Sequence, residues 1–247
     1  MKASISYRLL MILLLVSGIM GFVLPDFGSL GKINFILGGI GDVSVKAAGH
    51  SNWQNAKLYS KIHNGDQVKT NQESRCEIKL NDQSIVRIGE ATTYQLRKDN
   101  PGRTLNSELK KGRLWANIRK ISRINKFQVR TPTAVCSIRG TIYRIDADSS
   151  TKVAVYQGSV DVGPTWAVKS DSSQQQEKKT MRAPYEVPGP TQVPGPFEVT
   201  LDQWIKIIAG YQIEVRPDGK YHKSKIDEQI DGEDDWVRWN KQRDGFE

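Results

Sequence analysis

The chain has 247 residues, 38% apolar content and a formal net charge of +9. That length allows one or two domains, and the apolar residues come in short alternating runs, enough for one sizeable β core and a small appendage. His50, His63 and His222 are scattered, with no His-x-x-x-His or Cys-x-x-Cys spacing, so a zinc site is not expected; the positive charge points to an anionic neighbour.

Residues 1–26 read as a signal peptide or membrane anchor. Lys2 and Arg8 precede an uncharged run from Leu9 to Leu24, closed by Pro25 and Asp26. A charged start before an apolar stretch is an export signature, and the run is short for a span, which wants about 17–25 residues. Cleavage and anchoring both stay open. In either case the positive start stays cytoplasmic and the bulk lies outside, on the extracytoplasmic side of the inner membrane. No cysteine is present there for lipid attachment.

From residue 38 to 163 the pattern is all-β. Val43/Val45, Ile78/Leu80, Ile85/Ile88, Tyr94/Leu96, Leu114/Trp115, Phe127/Val129, Tyr143/Ile145, Val153/Val155 and Val160/Val162 are apolar rungs. Asn64-Gly65-Asp66, Asn81-Asp82, Asn100-Pro101-Gly102 and residues 146–151 supply turn chemistry between them. Strands at such spacing, uninterrupted by a long amphipathic helix, make an antiparallel sandwich, a jelly roll or a short β-solenoid. The absence of one fixed repeat length speaks against a long regular solenoid.

Within this region, KFQVRTPTAVCSIRGT (residues 126–141) is a strand, a corner marked by Thr131-Pro132 and a second strand ending in Arg139-Gly140-Thr141. It carries no nucleophile beside a base and no ligand cluster, so it reads as architecture. This TP-A-RGT signature resembles the FecR-like domain family. Gly41-Asp42-Val43-Ser44-Val45, Trp53, Gly65-Asp66, the stretch from Ser74 to Leu96, Leu109, Gly112, Leu114 and Gly158-Ser159-Val160 follow in the same order. The resemblance spans about residues 39–162 and implies an all-β extracytoplasmic domain. Such domains form the sensory half of membrane-spanning sigma-factor regulators and occur in other exported proteins. The family's frequent Asp-Gly-Ser hairpin is Asp82-Gln83-Ser84 here. The regulators' cytoplasmic sigma-binding domain has no counterpart in the few residues before Leu9, so direct sigma-factor capture is not expected.

Residues 164–196 form a linker. A polar Ser170–Lys179 tract precedes two Val-Pro-Gly-Pro units at 187–190 and 193–196, a composition that favours extended chain. Residues 197–247 read as a small α+β extension of helix, hairpin and helix. Thr200 with Gln203 looks like a capping box, with Leu201, Trp204, Ile205 and Ile208 on one face and Gly210 as the stop. Pro217-Asp218-Gly219 turns a hairpin, and the acids from Asp231 to Asp235 lead into a helix starting near Trp236. Tails with a similar DDWVRWN ending follow some FecR-like domains, which implies an integral extension whose tryptophans dock on the β domain.

Between Arg97 and Arg144 thirteen cations face only Asp99 and Glu108, an excess greater than the whole chain's +9. Arg97, Lys110, Lys111, Arg113, Arg119, Lys120, Arg123 and Lys126 are the candidate binding residues, for an anionic envelope glycan, lipid or acidic protein. The bland alternative is a solvated strand face partly neutralised by the tail acids, Asp227 to Asp235. Nucleic acid is not expected, since stacking aromatics are not interleaved with the charges. Gly65, Asp66, Thr131, Pro132, Arg139, Gly140 and Thr141 read as structural, with the Arg139 guanidinium bonding carbonyls or a carboxylate such as Asp66. Cys76 and Cys136 sit in apolar strands and read as buried free thiols, although export permits a disulfide. The six tryptophans read as packing before glycan stacking. No phosphate loop, serine elbow or calcium loop stands out, so no catalytic residue, metal or cofactor is expected. The expected role is a non-catalytic interaction or sensing module; the alternative is a structural envelope protein gripping anionic polymer through residues 97–144.

Overall fold

The computed structural model describes residues 28–99, 104–120, 126–165, 199–200 and 203–246, with residues 199–200 as backbone alone. The 1–26 segment, most of the linker, Asn100-Pro101-Gly102, Arg103, Arg123 and Trp166 lie outside the described residues. The described chain is mostly β, with two short helices near its end.

The strands, numbered in chain order, form two sheets. Sheet I runs β4 (Lys61–His63), β1 (Ser29–Leu37), β6 (Arg75–Leu80), β7 (Ile85–Ile88), then the second half of β9 (Thr104–Asn117). It continues through β12 (Ile142–Ala147), β13 (Thr151–Gln157), β17 (Tyr211–Val215), β18 (Lys220–Lys225) and β15 (Val199–Thr200). Sheet II runs β3 (Gln54–Asn55), β2 (Val43–Lys46), β5 (Gln67–Thr70), β8 (Thr93–Lys98) and the first half of β9. It ends with β10 (Lys126–Arg130), β11 (Val135–Ile138), β14 (Ser159–Gly163) and β16 (Ile205–Ile208). Among the described residues only the β9–β10 pair is parallel.

Strand β9 belongs to both layers. Its residues up to Lys111 pair with β8 and β10, and those from Gly112 pair with β7 and β12. The change of sheet falls at Gly112, whose φ is +102°. A Cβ there would stand 2.1 Å from Thr92 Oγ1 and 2.6 Å from the Thr92 Cα. Thr92 Oγ1 accepts the Arg113 N–H at 2.9 Å and Thr70 Oγ1 accepts the Thr92 N–H at 3.1 Å, so two buried threonines pin this corner.

The chain signature of residues 126–141 builds two other corners. Thr131 and Pro132 turn the β10–β11 hairpin, where the Ala134 N–H donates to Thr131 Oγ1 at 3.0 Å and that hydroxyl meets Thr151 Oγ1 at 2.7 Å. Arg139-Gly140-Thr141 carries the chain from sheet II to sheet I, and Thr141 Oγ1 donates to the Ser159 carbonyl at 2.8 Å. Gly158, at the return crossing, lies so close that a Cβ would sit 2.8 Å from the Gly140 oxygen. Arg139 itself is exposed, and Asp66 accepts from the backbone of Ala48 and His63; the anticipated Arg139–Asp66 bond is replaced by a solvated side chain at the corner.

One core lies between the layers. Ile33, Ile78, Leu114, Ile145 and Val153 from sheet I meet Leu96, Leu109, Val129, Ile138 and Val160 from sheet II, all essentially inaccessible. Each such side chain contributes about 1.5–3 kcal/mol by leaving water. Cys76 and Cys136 are buried free thiols, each pushed up to about 12 by burial.

Two expectations need correction. Residues 203–208 do not form a helix: Ile205 and Ile207 pair with Val162 and Val160 as the edge of sheet II, and Trp204 is 41% exposed over Gly163, while Leu201 lies outside the described residues. The Leu201/Trp204/Ile205/Ile208 spacing fits a helical face, but an available sheet edge overrides local propensity. The β region also begins before residue 38, because β1 pairs with β4 and β6 inside sheet I.

At the hairpin without its glycine, Gln83 takes φ +70° while the Ser84 N–H donates to Asp82 Oδ1 at 2.8 Å. Gln83→Gly should therefore raise stability, by up to about 1 kcal/mol, the cost of a side chain in the left-handed region less the backbone entropy. A urea midpoint below that of the parent would contradict this.

Candidate functional site

The outer faces of the two sheets have opposite fates. On sheet I, strand alternation projects Phe35, Glu77, Arg87, Trp115 and Arg144 outward in one cross-strand row. Helices α1 (Glu228–Glu233) and α2 (Asp235–Asp244) cover this row. Asp227 caps α1 by accepting from Gln229 and Ile230. Asp234 caps α2 from Trp236 and Val237, and Gly245 ends it in the left-handed region.

The tail is held by ion pairs set around a small apolar cluster of Trp115, Ile142, Trp236 and Val237. Arg87 donates from Nε to Glu77 at 2.7 Å, from Nη2 to Asp244 at 2.8 Å and from Nη1 to Asn240 Oδ1 at 3.3 Å. Trp115 Nε1 donates to the second Asp244 oxygen at 2.7 Å. Arg113 donates from Nε to Asp146 at 2.9 Å and through both terminal nitrogens to Asp234. Arg144 Nη1 donates to Asp231 at 2.8 Å, and its Nε stands 2.9 Å from Asp146. Tyr156 donates to the other Asp231 oxygen at 2.8 Å, and Arg75 pairs with Asp235. Trp239 stacks on Trp236 with centroids 5.5 Å apart.

These contacts set the acid–base behaviour. Burial raises the Glu77 and Asp234 carboxyls, but hydrogen bonds from Arg87 and Asn34, and from Arg113, outweigh it and hold both below the usual range. Arg75 holds the exposed Asp235 low as well. Carboxyls depressed in the folded state stabilise it above their unfolded values, about 3.9–4.3, and that contribution vanishes as pH falls through the folded values. Tail docking should thus weaken below about pH 4, with tryptophan fluorescence shifting before the β signal in far-UV dichroism melts. Coincident acid transitions of the two signals would refute it.

Sheet II is bare on its outer side among the described residues. Rows across its strands run through Lys46, Gln67, Gln95, Glu108 and Arg130, with Gln95 buried beneath Gly65, then Arg97, Asn106, Gln128, Ser137, Asp161 and Lys206. The single basic strip expected over 97–144 is accordingly divided. Arg97, Lys110, Lys111 and Lys126 are exposed on this face. Arg113 lies on sheet I, neutralised by Asp146 and Asp234. Arg119 and Lys120 follow β9, with the Lys120 side chain against Gly140. Alternation and the bend at Gly112 send charges close in sequence to opposite surfaces. Sequence reasoning missed Glu77, Arg87, Asn240 and Asp244, whose partners lie more than 150 residues apart for Arg87–Asp244 and Arg87–Asn240. No local pattern announces such a pairing. Among the described residues no cluster of three His, Cys, Asp or Glu side chains is placed to hold a metal.

Residues 66–161 match the family model described as FecR protein. Over that stretch the chain is similar to the FecR family. The match begins at Asp66 and ends in β14, so the matched stretch holds the shared strand β9 and all three corners. Strands β1 to β4 and β15 to β18, and both helices, lie outside it yet complete its two sheets and cover one of them. Two crystal structures of a candidate anti-sigma factor from Parabacteroides distasonis ATCC 8503 resemble the chain, with 17% identity, 66% of this chain covered and a TM-score of 0.46. The aligned part is 61% of that protein's length. No curated protein matches the sequence.

Proposed function

We propose that this chain is a non-catalytic contact and sensing module on the outer side of the cytoplasmic membrane, working through the bare face of sheet II. The observation that carries the reading is the asymmetry of the two faces. One is sealed by the chain's own tail through buried ion pairs, while the other keeps exposed cations beside ordered rows of Gln, Asn and Ser. The similarity to the FecR family supports a signalling role, and the charged start before the Leu9–Leu24 run supports export. No helix among the described residues is long and apolar enough to cross a membrane; the proposed membrane segment, residues 1–26, lies outside them.

In-cell photo-cross-linking tests the face. A cross-linking residue at Gln128 or Ser137 should yield an adduct of one defined mass, and one at Asp218 in the β17–β18 turn should not. Equal labelling at all three positions would remove the face as the contact surface. Protease added to intact spheroplasts should digest the chain, and full protection would overturn the placement. A second reading, retention on anionic envelope polymer, is favoured by the surplus of cations on the same face. It predicts release from isolated envelopes as salt rises.

A further inference from the structure

A cleft of about 430 Å³ opens at one edge of the bare face, between the loop after β2 and the turn before β5. Its wall carries Lys46, His50, Asn64, Gln67, Gln95 and Arg97, with the backbone of Ala47, Ala48, Gly49 and Gly65. No carboxylate is in that wall. The rims are held by a buried acid beneath them: Asp66 accepts the Ala48 N–H at 3.0 Å and the His63 N–H at 2.8 Å. Gln95 Nε2 donates to the Gly65 oxygen at 2.7 Å, and the Gly65 N–H to the Leu96 oxygen at 2.8 Å. Gly65 has φ +91°, and a Cβ on it would reach Ala48 Cβ at 3.0 Å, so the two rims meet only through a glycine. The Gly65-Asp66 pair noticed in the sequence is thus the fastening of this cleft.

The cations here differ from those under the tail. Arg75 and Arg113 line a neighbouring cleft together with Glu73, Glu90 and Asp235, and both are ion-paired. Among the described residues neither Lys46 nor Arg97 has an ion pair, and Lys46 Nζ rests 5.1 Å from the Trp53 ring centroid. Trp53 is 39% exposed. By strand and residue spacing the two cations stand roughly 12 Å apart at Cα, a span that two anionic groups of one oligomer can match. Between them lies the Gln67 amide, which can both donate and accept, as sugar hydroxyls require, while Asn64 is bonded to the Lys98 backbone and Gln95 is buried against Gly65. From Arg97 the row Asn106, Gln128 and Ser137 continues across sheet II and adds further amide and hydroxyl groups.

We infer that this cleft is a binding site for an acidic saccharide, whose carboxylate or phosphate groups meet Lys46 and Arg97 while its rings lie over the amides. The inference deepens the contact-module reading and rests on it, giving that face its ligand class. The probe is a short oligogalacturonate added to the full chain, followed by tryptophan fluorescence and calorimetry, beside a neutral oligogalactose, a phosphorylated oligosaccharide, inorganic phosphate and phosphatidylglycerol vesicles. Either acidic oligosaccharide should bind and weaken with salt, and the two arms tell carboxylate from phosphate. Lys46→Ser with Arg97→Ser should lose about tenfold or more in affinity, the loss of one to two charge-assisted bonds, with an unchanged thermal midpoint. Arg97→Ser alone, at an exposed site, serves if the double exchange disturbs the fold. Equal binding of the neutral oligomer, full affinity in the variants, or response to phosphate or vesicles alone overturns the saccharide site. Such a failure alongside intact adducts at Gln128 leaves the contact face standing without this ligand.

Discussion

Gly112→Ala should cost about 3–5 kcal/mol, a large share of the 5–15 kcal/mol that holds a typical domain. Two terms add. A side chain at φ +102° costs about 1–3 kcal/mol in backbone strain. Its Cβ would also meet Thr92 at 2.1 Å on Oγ1 and 2.6 Å on Cα, and overpacking against backbone costs about 1–3 kcal/mol more. The Thr92 Cα cannot retreat freely, because its N–H is tied to Thr70 and its hydroxyl to Arg113. Gly210→Ala is the matched control, with φ +83° and nothing within 4 Å of the added atom; it should cost only the strain term. Urea midpoints measure both. A Gly112→Ala loss no greater than that of Gly210→Ala would show that β9 does not turn tightly at this point.

The second large effect lies under the tail. Arg87 and Glu77 are each 4% exposed at the side chain and Asp244 is 3%. Replacing Arg87 by Leu leaves two carboxylates buried without their main partner, a loss of about 3–5 kcal/mol. Adding Glu77→Leu should return part of that loss, since an apolar pair of similar volume does not need a buried charge satisfied. Recovery is partial because Asp244 keeps Trp115 Nε1 but not Arg87, and Asn34 loses its carboxylate acceptor. The double-mutant cycle reads the coupling directly. Additive losses would mean that the pair is solvated and the tail only loosely applied.

Much of the two-layer core was legible because it rests on short-range signals. Phe127/Val129 and Val153/Val155 alternate as strands must, and Pro217-Asp218-Gly219 and the acids before Trp236 mark the hairpin and helix that the structure shows. The Thr131-Pro132 and Arg139-Gly140-Thr141 segments stood out as architecture, and both are corners between strands. What was hidden depended on distant chain. Ile205 and Ile207 chose a strand because Val162 and Val160 offered an edge. β1 gave a weak local pattern beside a longer apolar run, and its place came from β6. The charge run from Arg97 to Arg144 looked like one strip because sequence counts neighbours. Pleat and bend sorted those cations onto two faces, and Asp146, Asp231 and Asp234 neutralised some of them.

Phe35, in the first described strand, lies 5.8 Å from Trp239 in the last helix. Glu77, the cross-strand neighbour of Phe35, accepts from Asn34 of that strand and from Arg243 of that helix. The first described strand and the last described helix therefore close over the same spot. A ribosome-bound chain that has not yet released residues 227–246 lacks the residues that shut sheet I, so acquisition of the native state must wait for that segment to emerge. Non-local pairing of this kind makes for slow folding, in the range of milliseconds to seconds.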